Sequence, residues 1–204
     1  MMKRWGDRLL EAEFDLDLVA GFDAKFKKEQ DQLPFSKIFK KDTTKELLNE
    51  IRTKLDAGLG MRYFDKIRNQ QTNPKYVKSL AMYETVLLGV VFMHVGAKIR
   101  SSDLSHLEGL VPQVEMSDGI SIIDFTNGWR EAGKIQFTVA LREYKNGVPR
   151  NMLEPSCHVC GFTKTDIMFA PDLCGRCRRA AYCSSNCQKK AWPTHKLLCG
   201  FSGV

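Results

Sequence analysis

The first 156 residues contain no cysteine; all seven cysteines of the chain lie in the last 48 positions. A disulfide framework is therefore excluded for most of the molecule, and an odd count cannot be fully paired at its end. Long apolar runs are missing too. The most apolar stretch, residues 86–97, is twelve residues long and includes His94, whereas a membrane-spanning helix needs about 20 apolar residues. It reads as a buried helix, and no membrane partner is expected. The opening Met1-Met2-Lys3-Arg4 is followed by Glu11, Glu13, Asp15 and Asp17, which break any apolar signal core and are wrong for an acid-poor transit peptide. The chain is expected to be intracellular, in nucleus or cytoplasm, where clustered cysteines are more often metal ligands than disulfides.

Catalytic constellations are equally scarce. Only four histidines occur, and there is no phosphate-cradling glycine loop and no Gly-x-Ser-x-Gly elbow. His94, in the apolar run, reads as a satisfied core histidine. His158, inside a cysteine turn, is expected to be exposed. Asp103, His106 and Glu108 are close in sequence, but helix capping by Ser102 or Asp103 explains the aspartate more simply. No internal repeat or low-complexity tract is present.

What is there is the composition of a soluble globular chain: 204 residues, 43% hydrophobic and 27% charged, enough for one ordinary domain and a small appended one. The formal charge of +7 is uneven. Residues 151–204 carry seven Lys/Arg against three Asp/Glu, leaving +4, and the other 150 residues carry 24 against 21, leaving +3.

The cysteines run Cys157-x2-Cys160-x13-Cys174-x2-Cys177-x5-Cys183-x3-Cys187-x7-His195-x3-Cys199. Seven thiols and one imidazole make two complete sets of four for tetrahedral zinc, with every slot filled by protein, and closed sites are structural ones. Cysteines two residues apart converge on one ion from a tight turn. Cys183 with Cys187, and His195 with Cys199, are four apart and share one face of a helical turn. Arg176, Arg178, Arg179, Lys189, Lys190 and Lys196 offset the thiolate charge locally.

Spacing alone leaves the pairing open. The ligand series, together with Tyr182 before the fifth cysteine, Gln188 after the sixth, Trp192 and His195-Lys196, resembles a MYND finger. The likeness covers about a fifth of the chain and does not extend to residues 1–150. It implies a cross-braced pair of zinc ions: Cys157, Cys160, Cys183 and Cys187 for the first, and Cys174, Cys177, His195 and Cys199 for the second. It also implies a partner protein held through a short proline-containing peptide, with Gln188, Trp192 and Tyr182 as contact positions and the strand near Ala181 and Tyr182 as the docking edge. Two departures stand out. The gap between Cys160 and Cys174 is longer than the family leads one to expect, and Gly175 stands where some peptide-binding relatives carry a small polar residue. Neither a SET-like motif nor a His-x-Asp iron pair, which accompany such fingers in methyltransferases and prolyl hydroxylases, is recognisable.

Ahead of the finger the patterning is mainly α. Phe14, Leu18, Phe22 and Phe26 recur at helical spacing. Thr43-x-x-Glu46 forms a capping box before Leu47, Leu48, Ile51 and Leu55, with a stop near Gly58. Residues 77–100 predict the central buried helix, led in by Asn73-Pro74, and a short helix follows to Leu110 before Pro112. Between 120 and 142 a short β element competes with a helix. Ile120, Ile122 and Phe125 hint at a strand, and Ile135, Phe137, Val139 and Leu141 alternate. Trp129, Ala132, Gly133, Gln136, Phe137, Ala140, Leu141 and Tyr144 form one helical face, with Asn127 as cap, and this is the closer fit. The organisation expected is a mostly helical domain over 1–144, a linker over 145–156, the finger over 157–199 and a tail over 200–204. An adaptor that recruits a partner protein is the leading reading. A basic nucleic-acid-associated zinc protein and an enzyme with an unrecognised N-terminal domain are the alternatives.

Overall fold

The computed structural model describes residues 4–27, 33–115 and 128–200. Helix α1 (Glu13–Lys25) buries Asp15, Val19 and Phe22, and Phe26 follows on the same side. Phe14 and Leu18 of the expected stripe flank that face and are only partly buried. The face turns because buried Asp15 accepts hydrogen bonds from the Tyr83 hydroxyl at 2.8 Å and the Leu10 N–H at 3.0 Å. Burial nevertheless pushes its carboxyl above the usual range.

Helix α2 (Lys45–Lys54) is capped by Thr44, which accepts from the Leu47 N–H at 3.2 Å. The cap is thus Thr44 rather than the expected Thr43, and Leu47 stands where the box would need Glu46. Thr43 instead donates its hydroxyl proton to the Lys37 and Lys40 carbonyls. Gly58, at φ 105°, does interrupt the helix, but the chain re-enters one directly: a π turn (Leu55–Leu59) leads into α3 (Gly60–Gln71), which the sequence reading left out. Tyr63, Phe64 and Ile67 of α3 are buried, and Phe26 stacks on Tyr63 with ring centres 3.8 Å apart.

The centre of the molecule is α4 (Lys78–Val95), shorter than the expected 77–100. Gly96, left-handed at φ 75°, ends it, and the Ala97 N–H closes back onto the Phe92 carbonyl. By length and composition α4 could cross a membrane, yet most of it is buried inside this protein. Helix α5 (Ser101–Leu110) starts after Arg100 and has no side-chain cap. Asp103, expected as a candidate cap, is buried in its first turn and is held by Arg68 and Arg100 at 3.0 and 2.6 Å. Helix α6 (Glu131–Glu143) settles residues 131–143 as helical, with Ala132, Gly133, Gln136, Phe137, Ala140 and Leu141 buried on the expected face. The strand hint at Ile120, Ile122 and Phe125 lies outside the described residues, and the residue flanking the start of α6 is Arg130 rather than the expected cap Asn127.

The segment 145–156, expected as a linker, lies along α4. The Gly147 and Arg150 N–H groups donate to the Gly96 and Met93 carbonyls, and Met152 is buried in the core. After it come α7 (Lys164–Ile167), two short antiparallel strands β1 (Asp172–Leu173) and β2 (Ala181–Tyr182), and α8 (Ser185–Leu198).

Candidate metal centre

The eight predicted ligands gather into two groups: Cys157, Cys160, Cys183 and Cys187, and Cys174, Cys177, His195 and Cys199, with the donor atoms of each group within 4.8 Å of one another. All seven cysteines are free of disulfides. The fit to zinc can be checked by geometry. A tetrahedron with Zn–S of about 2.3 Å and Zn–N of about 2.0–2.1 Å sets S···S near 3.8 Å and S···N near 3.6 Å. The observed Sγ···Sγ separations are 3.4 Å for Cys160–Cys183, 3.5 Å for Cys183–Cys187 and 3.8 Å for Cys174–Cys199. Nε2 of His195 lies 3.6 Å from Cys177 and 3.4 Å from Cys174. The donors therefore fit two zinc ions in the interleaved arrangement.

Local structure explains the convergence. Ser184 caps α8 by accepting from the Cys187 N–H at 3.2 Å, which fixes Cys187 in the first turn beside Cys183. His195 follows eight residues later, about 12 Å along the axis at 1.5 Å per residue. One helix thus serves the first site at its N-terminus and the second at its far end. Burial opposes a thiolate at Cys174, but the N–H groups of Cys177 and Arg176, with His195, outweigh it and bring the thiol to about 6. At Cys157, backbone N–H groups including those of Cys160 and Cys183 likewise overcome burial and bring it to about 7.

Among the described residues the finger's own apolar cluster is small: Cys174, Ala180, Tyr182 and Cys199 are buried together, with Val159 and Ala191 against them. So few groups offset little of the entropy of ordering some forty residues, and metal binding is expected to supply most of the folding energy. Tyr182 is 4% exposed, its ring edge-on to His158 and His195. Its side chain belongs to the finger's small core. Gln188 and Trp192 are exposed, one turn apart on α8. The indole is 42% exposed and lies 6.0 Å from the His195 ring, centre to centre. Pro193, next to it, donates no N–H to the Lys189 carbonyl, so that turn is weakened.

His158 is not exposed as expected. Its Nε2 is buried without a hydrogen-bond partner among the described residues, and burial brings the ring to about 4. The cause is docking. The segment from Gly161 packs against α6, and His158 lies near Asp7, Arg8 and Glu11. Gly161, at φ 74°, approaches so closely that a Cβ there would stand 2.7 Å from Val139 Cγ2 and 2.9 Å from the Ile135 carbonyl. The Arg142 guanidinium covers the Phe162 ring at 5.6 Å, and Arg150 grips Asp166 through two bonds of 2.9 and 2.7 Å. Asp7, paired with Arg130 and near His158 and Arg179, stays below the usual carboxylate range despite its burial. Sequence reasoning missed these anchors, although Thr163-x-x-Asp166, the capping box that starts α7 in the long gap, was a readable signal.

Comparison with known proteins agrees with this geometry. Residues 157–199 match the MYND finger family. Over 43 residues, 21% of this chain, the sequence is 49% identical to the human histone-lysine N-methyltransferase SMYD3 and 46% identical to the human N-lysine methyltransferase SMYD2. Over 26 residues, 13% of the chain, it is 65% identical to N-lysine methyltransferase SMYD2-B of Danio rerio. These matches span only 9%, 9% and 6% of those proteins. No solved structure matches significantly. Residues 157–199 are accordingly a MYND finger, a protein-interaction module built around two zinc sites.

Proposed function

We propose that the chain is an intracellular adaptor whose finger holds a short proline-containing segment of a partner protein. The observation that carries this is the half-open indole of Trp192, backed on one side by a metal-fixed histidine and open to solvent on the other. A flat apolar face suits a ligand already stiff in the polyproline conformation, which loses little entropy on binding. Gln188, on the same face of α8, supplies a donor and an acceptor. In this reading the docking edge is β1 rather than the strand near Ala181 and Tyr182. The Ala181 carbonyl of β2 already accepts from the His158 N–H at 2.8 Å. Leu173 of β1 is 52% exposed, and its backbone makes no hydrogen bond away from β2 among the described residues. A peptide strand therefore adds to β1. In this reading residues 1–144 form the helical domain, and 145–156 carry the finger against it.

The methyltransferase activity named for the relatives is not carried over, because the shared segment is the finger alone. A second reading, contact with nucleic acid, draws on Arg176, Arg178, Lys189, Lys190 and Lys196, which are exposed and make no ion pair among the described residues. Steep loss of oligonucleotide binding with salt would favour it.

The deciding experiment compares affinity capture by the zinc-loaded chain and by Trp192→Ala, with zinc content measured for both. Partners that share a proline-containing segment and drop out with the variant support the adaptor. Capture of the same set by both proteins would sink it.

A further inference from the structure

We propose a second binding site, remote from the zinc ions: a cleft between the start of α2, the end of α4 and residues 149–153 that takes a small organic carboxylate with an apolar body. The cleft encloses about 440 Å³, within the ~300–1,000 Å³ range of small-molecule sites. Ile38, Leu48 and Val95 supply apolar wall, and Leu153 closes one side.

The polar element is His94, only 9% exposed and part of the lining. Its Nδ1 accepts from the Met152 N–H at 3.2 Å, so in the neutral ring the proton is on Nε2. Phe39, edge-on at 4.8 Å between ring centres, holds the ring in place. Nε2 has no hydrogen-bond partner among the described residues and is not among the buried unpartnered atoms. A fixed donor, nine-tenths enclosed by protein, thus reaches the cleft unpaired. Around the mouth stand Lys40 and Lys45, both exposed and, among the described residues, without an ion pair; no acidic side chain of the described residues lines the space. A directed donor and two uncompensated cations favour an anionic acceptor, and the walls favour hydrocarbon behind it. The site is built for binding rather than catalysis. The one lining hydroxyl, on Thr43, is committed to the Lys37 and Lys40 carbonyls.

The test is an NMR titration of the zinc-loaded, isotope-labelled full chain with 4-phenylbutyrate, using 4-phenylbutyramide as the uncharged control. Saturable shifts at the Leu48 and Asn151 amides and the His94 ring nitrogens are expected, with the amide at least about tenfold weaker. The K40Q/K45Q pair should weaken phenylbutyrate about tenfold. Leu48→Trp, at a partly exposed wall position, should fill the cleft and abolish binding while amide dispersion elsewhere is kept. Absence of saturable shifts at about 20 mM ligand, or equal binding of the amide, overturns the proposal. Preference for acetyl-Gly-Gly-Phe with a free carboxylate would assign the cleft to a protein C-terminus and overturn the small-molecule assignment.

Discussion

Single positions carry two of the sharpest expectations. Gly161 combines a left-handed backbone with contact against α6. Gly161→Val should cost on the order of 1–3 kcal/mol through strain and overpacking, read as a lower Tm with both zinc ions retained. Loss of zinc would mean that the position serves the metal fold rather than docking. His94 gives the pH expectation. Burial lowers its pKa from 6.5 to about 4, so the folded state releases the proton that the unfolded state keeps. Its stabilising contribution is complete above pH 6.5 and falls as pH drops toward 4, on the order of 1 kcal/mol per unit. His94→Gln, whose amide oxygen can still accept from Met152, should flatten that part of the stability profile measured in urea. At this scale the ligands were legible because metal geometry is written in short spacings. Asp15, Asp103 and His158 were not, because their burial depends on Tyr83, on Arg68 and on the docked finger, all distant in sequence.

Among the elements, the clearest test is the cap of α2. Thr44→Ala should remove one satisfied N–H and cost about 1 kcal/mol, whereas Thr44→Ser should recover most of it in equilibrium unfolding. At the core, Leu88→Ala in α4 should cost about 2–5 kcal/mol, since Leu88 is fully enclosed and a cavity would remain. The helices themselves were largely readable, and the departures have physical causes. Gly58 does break α2 as a stop signal should, but a π turn resumes the helix with no loop, so Tyr63, Phe64 and Ile67 were passed over despite their helical spacing. The choice between strand and helix at 131–143 turned on breadth. Alternation accounts for four apolar positions there, whereas the helical face also accounts for Ala132, Gly133 and Gln136; Trp129, expected on that face, is buried but lies ahead of the helix.

Across the whole molecule the finger is seated on a helical core. EDTA at neutral pH should collapse the amide dispersion of residues 157–199 while the amides around α4 keep their exchange protection. A finger that stayed dispersed without metal would contradict the structural zinc sites. This seating was invisible in the sequence, because Gly161 meets Val139, and Asp7 lies near His158, only after the chain has folded back. The crossing of ligands along α8 also imposes an order on synthesis. A nascent chain completes its first donor set when Cys187 emerges and its second only with Cys199, after every residue of α1 to α6 has been synthesised. The face of α6 that meets Gly161 is therefore made before either donor set is complete, and the finger is the later of the two surfaces to be synthesised.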